Sequence, residues 1–158
     1  MVIIDKLKQS KRLSQFLILL SFLISFAFIR SITHLQKLGV IPNQAEGYLH
    51  IHHLVPGIFL LIIAGYIGLS FWTVKHVRAI SSVLFGIGAA LTIDEFALWL
   101  YLKDVYWERQ GRDSIDMAIY IVIIFSLAFL LSEIHDHWWI KRLLKKKKQD
   151  LKESSNAS

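Results

Sequence analysis

A chain of 158 residues that is 54% hydrophobic and carries a formal net charge of +6 is one domain by length and far too apolar for a soluble globular composition. The absence of cysteine excludes disulfides and thiolate metal centres. The mean hydropathy of +0.49 arises from four long apolar blocks, at about residues 13–29, 54–74, 79–102 and 115–134.

Each block is near the ~20 residues an α-helix needs to cross a ~30 Å hydrocarbon layer. Membrane β-strands would show short alternating segments instead. The expected fold is therefore all-α, a polytopic four-transmembrane-helix bundle over residues 1–140 with a basic tail over 141–158.

The first block follows Lys6, Lys8, Lys11 and Arg12 and runs through Phe26, Phe28 and Ile29 into Arg30. No small-residue cleavage pattern follows it, so it reads as an uncleaved span, extending as helix to about Leu38. The connection over 31–50 holds the turn signals Pro42-Asn43 and Gly47. In the second block Pro56 suits only a first helical turn or a kink, so the helix starts either near Pro56 or, kinked, near Tyr48. The short "TVKHVRA" makes an antiparallel hairpin of the second and third spans. "KDVYWERQGRDS" then leads to the fourth, with Tyr106 and Trp107 at the membrane boundary. The end, from Trp138-Trp139 through a basic run to a polar terminus, predicts a short interfacial helix that frays.

Thirteen of the eighteen Lys and Arg precede the first span, lie between the second and third, or follow the fourth. Arg30, Lys37, Lys103, Arg109 and Arg112 lie on the other side. The positive-inside rule then puts both termini in the cytoplasm, as in a multi-pass protein of the inner (plasma) membrane. This distribution accounts for the +6 charge, so the expected partners are membrane lipids, with Lys145 to Lys148 near anionic headgroups, and not nucleic acid.

Candidate chemistry gathers in the outer half. "HIHHLVPG" supplies His50, His52 and His53, and "LTIDEFALWL" sets Asp94 and Glu95 inside an apolar span. An ionisable residue there costs at least ~2.5–3.5 kcal/mol on the insertion scale and needs a partner. Asp104 and Asp116 lie toward the same end, as do Arg30 and His34 at i, i+4. Imidazole with carboxylate suits Zn²⁺, Mn²⁺ or Fe²⁺, with His50, His52, His53, Asp94, Asp104 and Asp116 as metal ligands and Glu95 as general base for an activated water. The order matches neither HExxH nor ExxH.

Structural readings stand beside these. Asp116 suits a first helical turn, with Asp113 or Ser114 as cap. Asp104 and Glu108 can pair with Lys103, Arg109 and Arg112, and Arg30 can neutralise Asp94 or Glu95. The three histidines can bond headgroups at the interface. "SEIHDHWW" places Glu133 and His137 at i, i+4 at the inner end. Bis-histidine haem would need pairs that no spacing here fixes, so haem is not expected.

"HIHHLVPGI", "LTIDEFALWLYLKDVYW" and "GRDSID", in that order over about residues 48–118, resemble a group of small bacterial integral membrane proteins. The resemblance implies a bacterial membrane protein with four spans and carries no catalytic role. The residues themselves point first to an outward-facing divalent-metal site, as in a metal-dependent hydrolase of a membrane-proximal substrate. An ion or proton conductor, which four spans would form best as a homo-oligomer, is the alternative, and a non-catalytic scaffold the third. Reporter fusions after Lys37 and after Gln110 are expected to report the outer side and a C-terminal fusion the inner side. The reverse pattern would invert the placement of every candidate site residue.

Overall fold

The computed structural model describes residues 2–40, 52–102 and 112–156. Five helices follow in order: α1 (Val2–Lys37), α2 (Leu54–Ser70), α3 (Lys75–Asp94), α4 (Phe96–Tyr101) and α5 (Arg112–Asn156). Three stretches are long and apolar enough to cross a membrane, Lys11–Gln36, Lys75–Asp94 and Arg112–Lys145. The outward faces are apolar, with Phe28, Ile62, Leu69 and Leu131 all exposed, which is consistent with contact to membrane lipid.

The expected second, third and last elements differ from those observed. Over 54–74 the helix ends at Ser70, and its 17 residues reach ~26 Å at 1.5 Å per residue, short of a ~30 Å layer. The chain must reverse within four residues. Val74 adopts an extended conformation for this (φ −86°, ψ 110°), and the Arg78 guanidinium donates to the Trp72 carbonyl (2.8 Å). The expected 79–102 helix begins earlier, at Lys75, and is broken at Glu95. The tail continues α5 as helix to Asn156, because no Gly or Pro follows Gly111 and the basic run is built of good helix formers.

Helix α3 lies between α1 and α2 and packs along both, while α5 touches α1, α3 and α4 more sparingly. Small residues make this possible, since Ser81, Ser82, Gly86, Gly88, Ala89 and Ala90 are buried on α3. A Cβ on Gly86 would stand 2.5 Å from the Ile18 carbonyl oxygen of α1, and one on Gly88 2.9 Å from the Gly57 carbonyl oxygen of α2. Backbones that approach so closely gain dispersion contacts that lipid cannot replace. Ser81 adds a hydroxyl donated to the Ala64 carbonyl (2.5 Å). Phe22, with no exposed surface, packs with Ala89, Ala90 and Ala118, its ring stacked on Phe26 and edge-on to Phe125.

Contacts fix the directions. Ile18 lies beside Gly86 and Arg30 beside Asp94, so α1 runs parallel to α3. Gly57 meets Thr92 and Gly68 meets Ser81, so α2 is antiparallel to α3. Gln15 meets Ser132 and Arg12 meets Glu133, so α5 is antiparallel to α1. The basic ends thereby share one side, where Lys11 also pairs with Asp136 (3.7 Å). From Arg12 to Arg30 the rise along α1 is ~27 Å, close to a hydrocarbon thickness, with an ion pair at each end.

Gly86→Leu is expected to part α1 from α3, because behind the Ser21 hydroxyl stand the Ile18 carbonyl and the Phe22 N–H, backbone that cannot swing aside. The cost is about 1–3 kcal/mol, read as a lower thermal unfolding midpoint in detergent. An unchanged midpoint would show that this seam contributes nothing.

A buried histidine and carboxylate cluster

The cluster begins at a helix break. Glu95 sits at φ −100°, ψ 23° between α3 and α4. In an unbroken helix the Ala97 N–H would bond to the Ile93 carbonyl. Here it is donated to the buried Ser114 Oγ of α5 (3.0 Å), and the Leu98 N–H returns to the Glu95 carbonyl (3.0 Å). Helix α4 ends at Leu102, whose φ of 51° is left-handed, and Tyr101 donates its hydroxyl to Asp113 (2.7 Å).

Helix α2 begins directly after the histidines. His53 is its N-cap residue and makes no side-chain cap, so the first N–H groups need another acceptor. Glu95 supplies one, its Oε2 accepting the Leu54 N–H at 3.3 Å. Pro56 falls in the first turn, where a missing N–H is harmless.

Asp94 is fully buried and Glu95 is 6% exposed, and both meet imidazoles. Asp94 Oδ2 is 2.9 Å from His53 Nε2, and Asp94 Oδ1 is 2.5 Å from Arg30 Nε of α1. A second Arg30 nitrogen donates to the Asp94 carbonyl at 3.4 Å, and the guanidinium lies 5.6 Å from the Phe26 ring centroid. Glu95 Oε1 receives two imidazoles, His52 Nδ1 at 3.1 Å and His53 Nδ1 at 3.2 Å. His53 thus bridges both acids.

Of the sequence candidates, His52, His53, Asp94 and Glu95 come together. Asp116 is exposed on α5 and makes no contact with the cluster among the described residues. His50 and Asp104 lie outside the described residues. The acids of an unbroken helix would point ~100° apart; the break instead lets both reach one imidazole. Asp94, at the end of α3, lies level with His53 at the start of α2. Ser114, read as a cap for its own helix, instead caps α4. Its sequence signal was only that of a good capping residue, with nothing to name the helix served. Among the described residues no group of three or more His, Asp or Glu side chains is arranged so that it could hold a metal ion as it stands.

No family model, curated protein or solved structure matches the chain.

Glu95→Ala removes the acceptor that serves α2, whereas Glu95→Gln keeps a carbonyl oxygen there. The Ala variant is expected to be less stable than the Gln variant by about 1 kcal/mol or more in thermal unfolding of the purified protein. Equal midpoints would show that Glu95 does not cap α2.

Proposed function

We propose that this is a membrane protein with cytoplasmic termini whose His52, His53 and Glu95 form an outward-facing site for a divalent metal, as in a small hydrolase of membrane-proximal substrates. The observation that carries the reading is the convergence of two imidazole Nδ1 atoms on Glu95 Oε1, at 3.1 and 3.2 Å. Metal bonds of ~2.0–2.2 Å in a tetrahedral shell hold neighbouring ligand atoms ~3.3 Å apart. The nitrogen-to-oxygen spacings are those of ordinary polar contacts and lie near that value, so a small shift of the side chains would be needed for the three groups to take up one ion. Three protein ligands leave one position for water, which a divalent ion activates. Glu95 is a ligand in this reading and not the base, because its other oxygen holds the Leu54 N–H.

Transport has less support. Between this cluster and the Arg12–Glu133 pair lies a core of Phe22, Ala89, Ala90 and Phe125, which gives an ion no hydrated passage through one copy. Homo-oligomers would have to supply one between copies.

Purified protein is expected to bind one Zn²⁺ or Mn²⁺ with a rise in unfolding temperature. His53→Ala and Glu95→Ala should each abolish binding, and Asp116→Ala should leave it unchanged. Absence of stoichiometric metal and of any metal-dependent thermal shift in the wild type would leave the cluster a structural clasp.

A further inference from the structure

The Asp94 carboxylate has no exposed surface, and the metal reading assigns it no bond to the ion. Its oxygens divide between two helices: Oδ1 faces Arg30 of α1 at 2.5 Å and Oδ2 faces His53 Nε2 at 2.9 Å. We infer that Arg30 and Asp94 are positioning residues for the site, acting through His53. The inference rests on the metal reading above.

The chemistry follows from the two ring nitrogens. A histidine that ligates through one nitrogen donates its other N–H to a carboxylate or carbonyl, which fixes the tautomer and the ring plane. Asp94 stands where that acceptor is required. With the proton held on Nε2, the Nδ1 lone pair is left to face the side where His52 and Glu95 converge. A carboxylate that accepts this N–H must itself be held still and charged, and a buried one needs a counter-charge. Arg30 provides both, since it touches the carboxylate with Nε and the carbonyl of the same residue with a second nitrogen (3.4 Å). This two-point grip is geometry that a lysine point charge reproduces only in part. Helix α1 therefore belongs to the site although none of the proposed ligands lies on it.

The other elements around His53 place no competing charge there among the described residues. The helix break contributes Glu95, which is a proposed ligand. Asp113 of α5 is engaged by Tyr101, Asp116 is exposed, and the α5 residue that reaches the break is the neutral Ser114.

The test uses full-length protein in detergent, with Zn²⁺ affinity measured by competition and the visible spectrum recorded with Co²⁺ in its place. Loss of the partner that orients a ligating histidine typically weakens metal binding about 10–100-fold. Asp94→Asn keeps an acceptor oxygen and removes the charge, so it is expected to weaken Zn²⁺ binding by about tenfold or more and to change the Co²⁺ spectrum. Arg30→Gln should do the same. Arg30→Lys should recover part of the affinity and of the spectrum, which a purely structural role for Arg30 would not predict. Should Arg30→Gln fail to fold, Asp94→Asn and Arg30→Lys decide the matter. Wild-type affinity and an unaltered Co²⁺ spectrum in Asp94→Asn would overturn the inference while the metal site stands. A wild type that binds no Zn²⁺ would remove both.

Discussion

A carboxylate with no exposed surface governs how this bundle is assembled. Asp94 lies where apolar helices meet, and a lone charge there is expensive whichever scale is applied. Its neutralisation requires a cation from α1 and a proton donor from the residue that opens α2. The seams that α3 makes with its two neighbours are lined by glycine, alanine and serine, surfaces smooth enough for several registers. A slide of one turn along either seam would part Asp94 from Arg30 or from His53. The close-packed backbone supplies attraction, and the buried acid selects the register in which that attraction operates.

The break at Glu95 follows from the same demand. Both acids cannot point at one imidazole from consecutive positions of a regular helix. Interrupting the helix frees backbone N–H groups in an apolar setting, which is tolerated only where other groups satisfy them. Ser114 takes one, and Glu95 in turn takes an N–H at the start of α2. Two helix termini and a break thus satisfy one another, and three separate stretches of chain meet within hydrogen-bond reach.

Much of this was legible in the sequence, for reasons that differ by residue. The apolar blocks declared the helices, because hydrocarbon tolerates so few alternatives. The short hairpin made α2 and α3 neighbours, which was enough to bring His53 toward Asp94. Pairing of Arg30 with Asp94 was one of two open readings, since i, i+4 spacing with His34 says nothing about which face of α1 meets α3. The break left no local trace: neither Glu95 nor its neighbours disfavour helix, and its cause is tertiary. The helix at the end of the chain runs longer than the expected short interfacial helix that frays, because lysine, leucine and glutamate are sound helix formers.

Depth decides what can reach the cluster. The Arg30 and Arg12 pairs stand ~27 Å apart along α1, so the histidines lie near one end of the apolar bundle and not at its middle. Exposure falls inward from the imidazoles, 29% for the His52 side chain and 27% for His53, to none at Asp94. Beneath Asp94 the Phe22, Ala89 and Ala90 core closes the bundle. Among the described residues, the exposed members of the cluster are His52 and His53, so the approach to the acids that these residues offer is past the two imidazoles. The gradient of exposure, from partly open imidazoles to a closed carboxylate, is what a buried acid held by its neighbours produces, whatever the imidazoles themselves bind.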